Sequence, residues 1–252
     1  MDNATLTATR QELYRLKLGL IEHYADTVGD EVVAGPFTGL KIPARGYWAG
    51  GDLVAKVFGL YESQLNPFWC EAVAAGYALF LDVGCADGFY ATGFALRSPG
   101  TRCVGFDRDE RAQTSARAQI ARNALGNCEI RGMFDATSIP VLQREFRLSR
   151  DARLLLKCDI EGAERELFSE QLCAQLDRAD ILVELHDFQD DTAIEDLLRS
   201  RLAPSHRIEI MGETGRNPNL HRLLRHIPED IRWLLISESR WSAMRWLLAR
   251  AR

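Results

Sequence analysis

Seven ionisable residues gather at the ends of two short apolar runs. Lys157, Asp159, Glu161 and Glu164 accompany the run Leu154–Cys158, while Glu184, His186 and Asp187 accompany Ile181–Leu185. Carboxylates and an imidazole can orient a hydroxyl or amine and take its proton, and His186 is the natural base near neutral pH. Such groups beside buried strands are costly unless they pair, bind a ligand or react. Asp159, Glu161, Glu184 and His186 also carry the oxygen and nitrogen ligands that suit Mg²⁺ or Mn²⁺, although nothing in their spacing requires an ion. His186 therefore has three roles open to it: base, structural hydrogen bonding and metal ligand. Lys157 reads as a residue that holds Glu161, Glu164 or Glu184 in place.

A second cluster precedes these. The run Phe80–Val83 contains Asp82 and leads into Gly84-Cys85-Ala86-Asp87-Gly88-Phe89, a small-residue loop of the form D-x-G-x-A-x-G. Gly84, Ala86 and Gly88 let the backbone pass close to a ligand. Asp82 repels phosphate, so the ligand is expected to carry a cation or hydroxyls. Phe89 fills the third glycine slot of a dinucleotide fingerprint, which weighs against an NAD-dependent oxidoreductase. Asp107 ends the next apolar run, twenty-five residues after Asp82, and suits two ribose hydroxyls. That device serves NAD and other adenosine ligands alike. Arg108 either lies over an adenine or is simply solvated. Asp135 and Ala136, after Met133 and Phe134, stand at a third strand end, a place where acids are common.

These residues need elements to hold them. Strands are expected over Tyr77–Val83, Arg102–Phe106, Cys128–Phe134, Leu154–Cys158 and Ile181–Leu185. Helices are expected over Tyr90–Arg97, Glu110–Ala124, Ala163–Gln175 and Thr192–Arg201. This alternation predicts an α/β fold, a doubly wound Rossmann-like sheet with ligands at the carboxyl ends of its strands. The late runs Ile231–Ile236 and Ala243–Leu248, separated by Ser237-Glu238-Ser239-Arg240, suggest a closing antiparallel hairpin. Upstream, Leu6, Leu13, Leu16, Leu20 and Tyr24 suggest an amphipathic helix over Thr5–Asp26 that packs on the body, forms a lid or makes a homodimer contact. Gly35–Gly51 reads as a hairpin or loop, and Leu53–Leu60 and Pro67–Ala75 as helices. Residues 1–75 thus form a helical and hairpin extension, and residues 76–252 the main domain.

The loop at 82–88 resembles the first motif of class I S-adenosylmethionine (SAM) methyltransferases. The chain is further similar to the FkbM family of such enzymes, through D-V-G-C-A-D-G-F-Y at 82–90, L-K-C-D-I-E-G-A-E at 156–164 and V-E-L-H-D at 183–187. Upstream, Gly59-Leu60-Tyr61-Glu62 and Asn66-Pro67 look like segments that precede the core in related sequences. Family members usually carry Asn at Ala86 or Asp87 and Glu-Pro at Asp107-Arg108, so the subfamily and acceptor stay open. The resemblance implies a class I methyltransferase sheet, mostly parallel with a closing antiparallel strand. It implies SAM held by Asp82, Gly84, Ala86, Gly88, Tyr90, Asp107, Arg108, Asp135 and Ala136. It implies methyl transfer to a hydroxyl of a small molecule, sugar or natural product, with His186, Asp159 and Glu184 as catalytic residues. N-methylation and noncatalytic SAM or nucleotide binding are the alternatives. Mg²⁺ is compatible with the site but not expected.

Composition narrows the classes. With 46% hydrophobic and 27% charged residues the chain reads as globular, and a net charge of −5 gives no case for nucleic acid. The six cysteines show no C-x-x-C pair, so reduced thiols and no zinc site are expected. Asp2, Arg10, Glu12 and Arg15 stand where a signal peptide needs an apolar stretch, and no run is long enough to span a bilayer. A cytoplasmic protein with no membrane partner is the expectation. The loop Gly215–Asn219 either reaches over the site to bind substrate or is simply an Asn-Pro turn. Trp233, Trp241 and Trp246 are expected in a core or interface, and Trp48 and Tyr61 in an apolar pocket wall.

Overall fold

A computed structural model describes residues 2–43, 50–149, 151–186 and 193–252. The first helix, α1, spans Asn3–Val28, and the Asp2 carboxylate caps it by accepting from Thr5 N at 2.8 Å. Its buried stripe is Lys17, Ile21, Ala25 and Val28. Leu6, Leu13 and Leu16, expected to pack, are instead exposed, while Leu20 and Tyr24 touch the core. The first half of the helix is held to the body by Arg10, which donates to Ser239 O at 2.6 Å, and its leucines stay outside the core. The segment after α1 is a loop closed by an antiparallel bridge between Glu31 and Lys41. Trp48 lies outside the described residues.

Two helices follow, α2 (Leu53–Val57) and α3 (Asn66–Ala74). The core then alternates β1 (Leu79–Val83), α4 (Phe89–Arg97), β2 (Arg102–Phe106), α5 (Glu110–Arg122) and β3 (Cys128–Arg131). It continues with α6 (Ser138–Glu145), β4 (Leu154–Cys158), α7 (Glu164–Leu167), α8 (Glu170–Gln175), β5 (Ala179–Leu185) and α9 (Ala193–Leu202). The last elements are β6 (His206–Gly212), α10 (Glu229–Ile236) and β7 (Arg245–Ala251). The strands form one sheet in the order β3-β2-β1-β4-β5-β7-β6. β1 to β5 run parallel, and β7 runs antiparallel to both neighbours. The sheet is thus doubly wound and Rossmann-like, mostly parallel with one antiparallel strand, as expected.

Several local expectations are corrected. Ile231–Ile236 is helical, not a strand, and the partner of the last strand is β6. A short apolar run fits either state, and here Glu229 and Asp230 in the first turn favour the helix. The expected helix over 163–175 is broken in two, because Ser169 takes an extended conformation and caps α8. The third strand stops at Arg131, so Met133 and Phe134 belong to the loop beyond it. α6 and β6 were not signalled by the sequence pattern.

Side chains alternate across the sheet with period two. Phe80, Cys103, Leu155 and Leu182 face α2, α3, α4 and α10, whereas Leu81, Val104, Leu156 and Val183 face α6, α8 and α9. The first of these clusters also takes in Ile21, Val28, Phe37, Leu53 and Trp69, so the N-terminal segment shares its core with the sheet. All six cysteines are free. No helix among the described residues is long and apolar enough to cross a membrane.

One buried ion pair ties the N-terminal segment to the glycine loop. Lys56 Nζ lies 2.5 Å from Asp87 Oδ2, with side chains 4% and 1% exposed. Lys56→Met strands the Asp87 carboxylate and is expected to cost about 3–5 kcal/mol in urea unfolding. The double variant Lys56→Met/Asp87→Leu should recover most of that loss. An unchanged midpoint in the single variant would show that the pair contributes nothing.

Candidate active site

The loop after β1 forms the floor of a crevice of about 460 Å³, within the size range of small-molecule sites. Gly84 N and Cys85 N both donate to Phe106 O at 2.9 Å, which locks the loop against the end of β2. Gly84 takes φ +77°, and a Cβ there would lie 1.8 Å from the Asp159 carbonyl oxygen. Only glycine admits that approach, and it brings the ends of β1 and β4 together. Ala86 also has a positive φ, and its amide donates to Asp107 Oδ2 at 2.9 Å. Asp107 Oδ1 accepts from Asp109 N at 2.8 Å. Each carboxylate oxygen keeps a second lone pair for a ligand hydroxyl.

Not all the expected cofactor residues reach this crevice. Gly84, Ala86, Asp107 and Arg108 line it. Asp82 is fully buried behind the loop, where Oδ2 accepts from Ala91 N at 3.0 Å and Oδ1 lies 3.4 Å from Lys157 Nζ. Burial pushes its pKa up to about 6 against the pull of Lys157. Gly88 begins α4 and packs against Ala116. Tyr90 is buried, stacked on Trp69 at 4.9 Å, and its hydroxyl donates to Glu62. Asp135 is exposed, and its Oδ1 accepts from the Thr137 amide and hydroxyl at 2.8 and 2.6 Å. Ala136 packs against the core beneath. Gly132, Met133 and Phe134 line the crevice in their place, together with Ile160 and Leu167. Met133 is 76% exposed, an apolar side chain left open at the rim.

Asp159 and Glu161 also line the crevice and connect it to the strand-end carboxylates. The backbone turns sharply here, with positive φ at Glu161 and Gly162. That turn wraps around Glu164, whose buried Oε1 accepts from Ile160 N at 3.2 Å and Gly162 N at 3.4 Å. The same oxygen lies 2.9 Å from His186 Nδ1, so Nδ1 carries the hydrogen of that contact. His186 Nε2 then faces Asp159 Oδ1, Glu161 Oε2 and Glu184 Oε2, each at 3.6 Å. Asp187 lies outside the described residues.

Charge dominates this end of the site. Burial opposes the His186 cation, but Glu164, Asp159 and Glu161 outweigh it and raise the imidazole above its ordinary value. The imidazolium cannot accept a proton, so a base role needs the neutral ring. Burial likewise opposes the Lys157 cation, yet Asp159, Asp82, Glu62 and Glu184 hold it protonated. For Asp159 the Lys157 ammonium overcomes burial and keeps the carboxyl below its usual range. Burial, with Asp159 and Glu62 nearby, pushes Glu184 up to about 10. Asp159, Glu184 and His186 each offer one ligand atom, all within 4.8 Å of one another, so a metal ion is chemically admissible among them.

The sequence reading missed the partners that close this cluster. Arg240 donates to both Glu184 and Glu62 and lies 2.6 Å from Glu238 Oε2. Arg216, in the loop Gly215–Asn219, lies 2.9 Å from Glu238 Oε1. Glu62 is 1% exposed and carries a positive φ. Burial pushes it up to about 7 despite Arg240. The strained backbone of Glu62 has no signature in composition, and Arg240 is far away in the chain. Tyr61 packs by Phe89 and Tyr90, Trp246 is fully buried, and Trp233 and Trp241 are 42% and 66% exposed. Arg10 covers Trp241 at 4.0 Å from the ring centroid.

No protein-family model matches the chain, and no curated protein sequence does. Among solved structures it is similar to a precorrin-6y C5,15-methyltransferase from Geobacter metallireducens, at 10% identity and a TM-score of 0.48, over 72% of this chain and 88% of that one. It is similar to the O-methyltransferase TomG of Streptomyces achromogenes, solved with SAM, at 15% identity and a TM-score of 0.47, over 71% and 76% of the two chains. It is also similar to cofactor-bound Rv0187 from MTB, at 14% identity and a TM-score of 0.46, over 94% and 90%.

Proposed function

We propose that this chain is a SAM-dependent methyltransferase of the FkbM kind that methylates a hydroxyl of a small molecule, sugar or natural product. The observation that carries the reading is the single crevice running from Asp107 and the Met133–Phe134 wall to Asp159 and Glu161. Its first end suits a ribose and an adenine. Its second end suits an acceptor whose proton must be handled. SAM would lie with its ribose hydroxyls on Asp107 and its sulfonium over the Gly84–Ala86 loop. The acceptor oxygen attacks the methyl carbon in line. The O–CH₃ bond forms as the S–CH₃ bond breaks, the sulfonium leaves as a neutral thioether, and the hydroxyl proton passes to Asp159, the carboxylate of the cluster that is held ionised, with Glu184 and His186 orienting the acceptor.

Calorimetric titration with S-adenosylhomocysteine tests the reading, with NAD⁺ as comparator. Micromolar binding of the former, no binding of the latter, and a loss of at least about tenfold in Asp107→Ala are expected, since two hydroxyl contacts to a charged acceptor are removed. Failure of S-adenosylhomocysteine to bind would sink the proposal.

A further inference from the structure

A second cavity, of about 590 Å³, is built from the segment between β6 and β7. The indoles of Trp233 and Trp241 line it, together with the hydroxyl side chains Thr214, Ser237, Ser239 and Ser242. Exposed apolar surface rimmed by polar groups marks a binding groove. Trp241 is also held in place. The Arg10 guanidinium stands 4.0 Å from its ring centroid, and the same side chain donates to Ser239 O at 2.6 Å. One face of the ring is thus covered and fixed, while the residue stays 66% exposed. A ring ordered in advance costs little further entropy when a ligand stacks on it.

Charge within the cavity cancels. Arg216 pairs with Glu213 and Glu238, and Arg240 pairs with Glu238. Among the described residues the wall therefore offers a phosphate no unpaired cation, and an ammonium no unpaired carboxylate. The matching ligand is neutral, with an apolar face for the indoles and hydroxyls around its edge. A pyranose ring has both: its C–H face lies on an aromatic ring, and its hydroxyls exchange hydrogen bonds with Ser and Thr. We propose that this cavity is a saccharide subsite, with Trp233 and Trp241 as its stacking platforms and Arg10 as the positioning residue for Trp241.

Its place in the fold gives it a use. Arg240 lines the cavity and donates to Glu184, whose Oε2 stands 3.6 Å from His186 Nε2. One guanidinium separates the stacked sugar from the residues that orient the acceptor. The use of the subsite in methyl transfer rests on the methyltransferase reading. The sugar on the tryptophans is then the neighbour of the unit to be methylated, which extends past Arg240 to Asp159. A monosaccharide cannot make both contacts, so the acceptor is an oligosaccharide.

The full chain should be titrated with neutral mono-, di- and trisaccharides of glucose, galactose, mannose and N-acetylglucosamine. Calorimetry gives the affinity, tryptophan fluorescence shows whether the indoles respond, and S-adenosylhomocysteine is titrated in parallel. Millimolar or tighter binding of at least one series is expected, with the disaccharide at least about threefold tighter than its monosaccharide. Trp233→Ala and Trp241→Ala should each weaken it about three- to tenfold. Both replace exposed side chains, so both should fold. Arg10→Ala should weaken it about two- to threefold and Arg10→Lys should restore it. No binding of any series at millimolar concentration, or equal affinity in the tryptophan variants, overturns the subsite. Fluorescence that follows protein concentration and not saccharide overturns it too, and assigns the indoles to a contact between copies of the chain. Equal affinity for mono- and disaccharide overturns the extension past Arg240. Saccharide binding without S-adenosylhomocysteine binding keeps the subsite and removes the methyltransferase. S-adenosylhomocysteine binding alone does the reverse.

Discussion

Arg240→Leu will unfold about 3–5 kcal/mol more easily than the parent chain, the cost of leaving buried carboxylates without their cation. Arg240 is the shared partner of Glu62, Glu184 and Glu238, whose side chains are 0%, 4% and 3% exposed. Leucine fills part of the space and offers none of them a donor. The variant will also be more sensitive to alkali. Glu62 is pushed up to about 7 and Glu184 to about 10, both from 4.5 in the unfolded chain. The folded state therefore binds more protons between these values. The stability these two groups contribute is full below pH 4.5, and it is lost as pH rises through 7 and then through 10. Removing the cation that lowers both values steepens that loss. Urea midpoints from pH 5 to 9, with chelator present, measure it. Equal slopes for parent and variant would show that Arg240 does not neutralise the cluster.

Gly84→Ala is the second large effect. The new methyl would meet the Asp159 carbonyl oxygen at 1.8 Å, a backbone atom that cannot rotate away. Alanine at φ +77° adds about 1–2 kcal/mol of its own. Asp159 N donates to Val83 O at 3.0 Å, so pushing the strand ends apart also weakens the contact that holds Asp159 beside the crevice. A loss of about 3 kcal/mol or more is expected, together with loss of S-adenosylhomocysteine binding. Gly132→Ala is the internal control. Gly132 lines the same crevice, yet a Cβ there meets nothing within 4 Å. Its midpoint should stay within about 0.5 kcal/mol of the parent. If Gly84→Ala melts with Gly132→Ala, the close approach is not a constraint.

The parts of this protein legible in its sequence are those governed by local pattern. Arg102–Phe106 and Leu154–Cys158 form strands with the bounds read from their apolar runs. The small residues after Asp82 form the turn that their lack of side chains allows. The illegible parts depend on partners far apart in the chain. Asp82 looks like a ligand contact from its position, but the structure turns it towards Lys157 and the start of α4. Asp135 looks similar, yet Thr137 stands two residues away and takes its oxygen. Glu62 and Arg240 meet across 178 positions, and nothing beside either residue marks the encounter. Ile231–Ile236 carries an apolar run that either a helix or a strand could use, and only the tertiary surroundings decide.

The position of β7 bears on how the chain folds. It follows β6 in sequence but lies between β5 and β6 in the sheet. During synthesis β6 emerges before β7, its neighbour in the finished sheet, has been made. Residues 206–212 therefore reach their final pairing only once Arg245–Ala251 inserts between them and β5. The segment between β6 and β7 carries Arg240, so that same late insertion brings its cation to Glu184 at the end of β5. The site is thus assembled last, as one event with sheet closure.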